Sequence, residues 1–175
     1  MIVVVLTFVN GLLAMSELSV VSARPARLRN MADQGNKGAA TAIELAEDPG
    51  KFLSSVQIGI TLVGILSGAF SGATLGLRLT TWLESVGVAD NIADVLGVGV
   101  VVVLITYISL IIGELVPKQI ALRDAEGVAA RVAPAMKLLA AIVSPIVWIL
   151  DVSGKLVLRV LGQGGESEER VTVEE

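Results

Sequence analysis

Residues 95–112 read VLGVGVVVVLITYISLII and run at once into GELVPK at 113–118. No charged side chain interrupts those eighteen residues until Glu114. An α-helix needs ~20 largely apolar residues, at ~1.5 Å each, to cross ~30 Å of hydrocarbon. The stretch is therefore expected to span a bilayer, over about 95–116. Working outward, residues 52–77 are also apolar but punctuated by Gly59, Gly64, Gly68, Gly72 and Gly76, with Ser55, Thr61, Ser67 and Ser71 among them. Small residues at that density let helix backbones approach closely in lipid and leave hydroxyls and carbonyls accessible. A third apolar run, about 2–21, reaches spanning length at the N-terminus. It lacks a basic leading region and carries Ser16 and Glu17 within it, so a cleaved leader is the minor reading.

The composition agrees with lipid as the solvent. Of 175 residues, 54% are hydrophobic and 3% aromatic, and the mean hydropathy is +0.79. Charges are segregated into links rather than spread along the chain, unlike an ordinary soluble domain. Cysteine and histidine are both absent, which excludes disulfides, thiolate sites and imidazole ligands, so any bound metal is held by oxygen. The net charge of −4 owes much to Glu166, Glu168, Glu169, Glu174 and Glu175, and no basic patch with interleaved aromatics suggests nucleic acid.

Between the spans, residues 23–48 carry Arg24, Arg27, Arg29, Lys37 and the acids Asp33, Glu44 and Glu47, and read as short helices beside the membrane. After Pro117, charges mix with apolar groups. The run 138–150, broken by Pro145, is about 13 residues long, which is below spanning length, and Asp151, Lys155 and Arg159 then recur at helical spacing. Residues 119–162 are thus expected as amphipathic helices at the interface rather than a fourth span. Lys and Arg collect in the first link and after the third span, while the second link holds only Arg78. The positive-inside bias places the N-terminus outside and the C-terminal region in the cytoplasm; a fourth crossing, which would carry the C-terminal tail outside, is not excluded by the charge pattern alone.

Two carboxylates lie within or at the edge of spans, Glu17 and Glu114. An ionisable group at such depth costs about 2.5–3.5 kcal/mol on insertion scales, so it faces protein, water or an ion. Glu17, near the cytoplasmic end of its helix, can also reach the interface. Glu114 is the stronger candidate. Pro117, lacking an N–H, leaves the carbonyl of Gly113 without its helical donor, and in lipid that oxygen needs a substitute. A cation would serve. Ser16, with Ser55, Thr61 or Ser67 from the second span, could complete an oxygen cage suited to Mg2+, Ca2+ or Na+. No nucleophile elbow or phosphate-binding loop suggests an enzyme.

Three segments taken in order, NGLLAMSE at 10–17, IGITLVG at 58–64 and GELVPK at 113–118, resemble the transmembrane domain of the CNNM/CorC family. The resemblance covers about residues 1–163. It implies an all-α integral membrane fold, a homodimer with three transmembrane helices per subunit, and a cytoplasmic-side belt of juxtamembrane helices. It also implies Mg2+ export from an inward-facing cavity, linked to Na+, across the cell's inner (plasma) membrane. Carried over, the metal ligands are Ser16, Thr61, Gly113 and Glu114, supported by Glu17, Gly64, Pro117 and Lys118, the last fixing the bend. Relatives carry Asn in the second-span signature where this chain has Ile60, Thr61 and Gly64, so Thr61 or a water would replace an amide. Residues 164–175 are expected as an acidic linker towards a CBS pair, through which the family binds ATP. A membrane-anchored Mg2+-sensing module without flux of its own is the alternative function, and a membrane-damaging toxin the last.

Overall fold

In a computed structural model the described residues, 1–161, are helical throughout, with short joints. Helix α1 is Ile2–Ser22, α2 Pro25–Asp33, α3 Lys37–Glu47 and α4 Pro49–Ser71. A π turn at Gly72–Gly76 joins α4 to α5, Leu77–Ser85. Helix α6, Asp90–Leu110, passes through a second π turn, Ile111–Leu115, into α7, Val116–Arg123. Helix α8 is Ala125–Val160. The expected linker 164–175 lies outside the described residues.

The joints follow from local chemistry. Asn36, Asp48 and Asp124 each turn a side-chain oxygen onto an otherwise unpaired N–H of the helix they precede, on Ala39, Lys51 and Gly127, at 3.1 Å in each case. Pro25 and Pro49 occupy first-turn positions, where a missing N–H costs nothing. Gly35 and Gly87 take φ of +91° and +92° to reverse the chain, a conformation other residues resist.

Among the described residues, four helical runs are long and apolar enough to cross a membrane: Ile2–Ser22, Pro49–Ser85, Asp90–Arg123 and Ala125–Val160. The first three contain the expected spans. The fourth departs from the sequence expectation. Instead of a 13-residue run broken at Pro145, α8 is one helix of 36 residues with Pro134 and Pro145 inside it. A proline withdraws one N–H and crowds the carbonyl four residues earlier. At Pro134 that carbonyl belongs to Ala130, and Gly38 of α3 sits against it so closely that a Cβ there would lie 1.9 Å from the oxygen. Tertiary packing thus carries the helix past its weak point.

The core lies where α1, α2, α3, α4 and the first half of α8 meet. It is built of Leu13, Val20, Leu28, Ala39, Ala42, Phe52, Val56, Val63, Ala129, Ala130 and Ala133. Its alanines all lie on α3 and α8, where the small side chain lets the two helices approach closely. Elsewhere glycine does the same work. A Cβ on Gly97 of α6 would come 2.3 Å from Thr80 Oγ1 of α5, and one on Gly59 of α4 would come 3.0 Å from Leu13 of α1. Outward-facing residues of α6, such as Val95 and Val103 at 72% and 68% exposure, are apolar, as a lipid-facing surface requires.

Charge ties the polar joints together. Glu126, at the start of α8 and buried, accepts from the Arg24 backbone N–H at 3.3 Å and from Arg24 Nε at 3.1 Å, with Arg27 at 3.6 Å. Lys137 of α8 pairs with Glu44 of α3.

Candidate functional site

The chain changes helical pitch where α6 meets α7. Within that π turn the Val116 N–H bonds to the Ile111 carbonyl, one residue further back than in an α-helix. Pro117 follows and donates nothing, so the carbonyls of this turn, Ile112 and Gly113 among them, are short of one helical donor. The structure supplies another one. Asn10 of α1 donates its Nδ2 to Gly113 O at 2.9 Å. Its neighbour Gly11 makes the approach possible, since a Cβ there would stand 3.0 Å from Pro117 Cγ and 3.1 Å from Ile112 O. Gly113 matches it, with a Cβ position 3.3 Å from Asn10 Nδ2 and from Thr7 O. Two glycines facing each other let an amide reach a main-chain oxygen.

The other end of that amide is unpaired. Among the described residues, Asn10 Oδ1 is buried with no hydrogen-bond partner, and the same is true of Ser67 Oγ on α4, a residue 9% exposed. Both residues line one cavity of about 220 Å³ between α1, α4 and α6, whose wall also includes Gly64, Thr106, Ser109 and Glu114. Asn10 lies mid-way along α1 and Ser67 mid-way along the run Pro49–Ser85, so the cavity sits at the middle depth of these helices. Glu114 reaches the wall as one half of an ion pair with Lys118 at 2.8 Å, both side chains partly exposed. Gly64 and Gly68 meet nothing within 4 Å of a built Cβ, so these two glycines make room rather than contact.

The residues expected as metal ligands are only partly brought together. Gly113 and Glu114 are adjacent at the π turn, beside Pro117 and Lys118, and Gly64 lines the same cavity as Glu114. Ser16 is elsewhere. It is fully buried, donates to Leu13 O at 2.8 Å and lies 3.1 Å from Met136 Sδ of α8. Thr61 faces a separate, open groove of about 1140 Å³ between α4 and α8, bordered by Lys51, Gln57 and Asp151. Size does not make that groove the site, because neither Glu114 nor Gly113 borders it. Glu17 is half-buried on α1 and joins no ion pair among the described residues. No group of three or more His, Cys, Asp or Glu converges among the described residues, so the site is made mainly of neutral oxygen.

Asn10 was not singled out as a site residue. Its signal was present, as the one amide in an otherwise apolar helix, where a polar side chain is expected to find a partner across a helix interface. Thr106 and Ser109 were likewise hidden in the most apolar run of the chain.

Comparison with known proteins gives the geometry a context. The family model described as the cyclin M transmembrane N-terminal domain, CNNM, matches residues 1–175. UPF0053 protein sll0260 of Synechocystis is 47% identical over 171 residues, covering 98% of this chain and 38% of the relative. UPF0053 protein YhdT of Bacillus subtilis is 30% identical, covering 94% of this chain and 36% of the relative. The polyamine export protein of Escherichia coli K12 is 28% identical, covering 91% and 36%. The chain thus spans well under half the length of the curated relatives it matches.

Proposed function

The chain belongs to the CNNM family, and from that premise we propose that it forms the ion-carrying membrane part of a transporter that exports Mg2+ by alternating access, with Na+ as the coupling ion. The family is one of multi-pass membrane domains rather than of enzymes. The observation that supports the reading is the cavity midway along α1 and the Pro49–Ser85 run, with a carboxylate and hydroxyls on its otherwise largely apolar wall and the Gly113 carbonyl beside it. Mg2+ surrenders water reluctantly and requires hard oxygen at close range. Glu114 supplies the charge and Gly113 the main-chain oxygen. A divalent ion competing for Glu114 displaces Lys118, and one competing for Gly113 O displaces the Asn10 amide. Ser16 and Thr61 join this ligand set only after α1 and α4 turn, a rearrangement that alternating access supplies.

The same reading gives three crossings, α1, α4–α5 and α6–α7, with α2, α3 and α8 as the cytoplasmic belt. The Asp151, Lys155 and Arg159 stripe on α8 favours an interfacial position over a fourth crossing. It also gives a homodimer in the plasma membrane with the N-terminus outside, and ATP binding by a CBS pair following this domain.

Reconstitution tests the proposal. Liposomes carrying the protein and a Mg2+-sensitive dye should show Mg2+ flux that falls at least tenfold in Glu114→Ala, and Mg2+ should protect the native protein, not the variant, against thermal unfolding. Unchanged flux in the variant refutes the site. Protection without any flux in the native protein favours the sensing module instead. Because two relatives are named polyamine export protein, spermidine belongs in the same assay; transport of spermidine in place of Mg2+ overturns the magnesium assignment.

A further inference from the structure

We propose that the groove between α4 and α8 seats one anionic phospholipid, with its phosphate on Lys51 and its acyl chains along Ile58, Leu62 and Ile65. The groove is separate from the cavity beside Glu114, and lipid binding there does not rest on the transport reading.

The lining changes character along α4. Gly50, Lys51, Ser54 and Gln57 border the groove first, and then Ile58, Leu62 and Ile65 with Thr61 among them. Lys51 and Gln57 lie about 9 Å apart along the axis at helical rise, close to the ~5–8 Å depth of the headgroup and ester zone on each face of a bilayer. A cation, then hydrogen-bonding side chains, then hydrocarbon is the order that matches a phospholipid's phosphate, ester carbonyls and chains. Helix α8 adds Ile146, Val147, Trp148 and Leu150 to the apolar wall. At about 1140 Å³ the groove exceeds the ~300–1,000 Å³ pockets that hold drug-sized ligands. Its openness suits a long chain entering from the side, not an ion.

Charge selects the headgroup. Lys51 is exposed and joins no ion pair among the described residues. The nearby Asp48 carboxylate accepts from the Lys51 backbone N–H at 3.1 Å as the cap of α4. Asp151, the one acid bordering the groove, is paired with Lys155 at 2.9 Å. The charge left over is therefore positive, and cations beside a membrane attract anionic headgroups. Gln57 is exposed to the groove within a run apolar enough to span, where hydrocarbon offers its amide no partner. An ester carbonyl accepts from it. Occupancy also has a mechanical effect: α8 has no buried position beyond Val143, so a seated lipid fastens the second half of that helix to α4.

The test uses the purified chain, delipidated in detergent, with phosphatidylglycerol and phosphatidylcholine of identical acyl chains. Native mass spectrometry counts bound lipid, and thermal unfolding reports its effect. One phosphatidylglycerol per chain is expected to be retained, at least tenfold more tightly than phosphatidylcholine, and to raise the unfolding midpoint further. Lys51→Gln is expected to abolish that preference, Lys51→Arg to keep it within threefold, and Arg78→Gln on α5 to leave it unchanged. Ile65→Trp fills the apolar end and is expected to weaken both lipids at least fivefold. Equal retention of the two lipids, the mark of an annular layer only, overturns the seat. So does a preference that survives Lys51→Gln. Ser54→Cys carries the chain's only thiol, and a disulfide between two copies under oxidation would put a second chain in the groove in place of the lipid. None of these readouts involves Mg2+, so loss of the magnesium reading would leave the result standing.

Discussion

Asn10 has an amide nitrogen on the Gly113 carbonyl and an amide oxygen in the cavity, and replacing it by an apolar residue removes both. Asn10→Leu keeps the bulk but leaves a main-chain oxygen unpaired away from water, a loss of about 1–3 kcal/mol. A lowered unfolding midpoint in detergent is the expected readout, and an unchanged midpoint would show that the Gly113 carbonyl has another donor. Gly38 offers a sharper contrast. A methyl group there would fall 1.9 Å from Ala130 O, which is backbone and cannot step aside. Gly38→Ala should therefore destabilise the protein by several kcal/mol, of the order seen when a core is overpacked. Gly64→Ala meets open space, and in a helix interior it should stabilise by roughly 0.5–1 kcal/mol while narrowing the cavity. Parallel melting curves of the two variants distinguish a contact glycine from a space-making one. At this scale the sequence was only half legible. Pro117 announced a freed carbonyl at Gly113, as found. That its partner is Asn10, more than a hundred residues earlier, follows from the approach of α1 to α7, and pitch along one helix does not reveal a crossing between two.

Among elements, the π turn at Ile111–Leu115 is held by a proline on its C-terminal side and an amide from another helix. Pro117→Ala restores an N–H where the helix lacks one, which should stabilise the isolated run while releasing Asn10 from Gly113. The expected combination is a higher unfolding midpoint with weaker Mg2+ protection. A variant that keeps full Mg2+ protection would show that the turn has no part in ion binding. Helix α8 teaches the complementary lesson. Pro145 and a short apolar run argued for a break, yet the helix continues from Ala125 to Val160. Local propensity lost to packing, because Gly38 accommodates the carbonyl that Pro134 displaces and Val143 remains buried close to Pro145.

For the whole molecule, the apolar runs were readable because twenty uncharged residues have few alternatives to lipid, whereas the count of crossings was not. Length and composition qualify four runs, and orientation depends on where charges end up. The absence of cysteine makes the question accessible, since a single introduced thiol is the only reactive one. With the proposed topology, Ser85→Cys should be labelled by an impermeant maleimide from outside. Gln34→Cys and Leu161→Cys should react only after permeabilisation. External labelling of Leu161→Cys would mean that α8 crosses after all.

The buried positions of α8 end at Val143, and beyond it Ser144 to Asp151 border only the open groove facing α4, so the rest of the helix is a loosely held arm. From Ser144 to Val160 that arm extends about 25 Å at helical rise. Nearer its start the same helix is clasped by Gly38 at Ala130 and, through Met136, touches Ser16 on α1. Such an arrangement behaves as a crank. Tilting the arm by about 5° about its root carries the tip roughly 2 Å for a 25 Å reach, and whatever force is applied there arrives at the helix that bears Asn10.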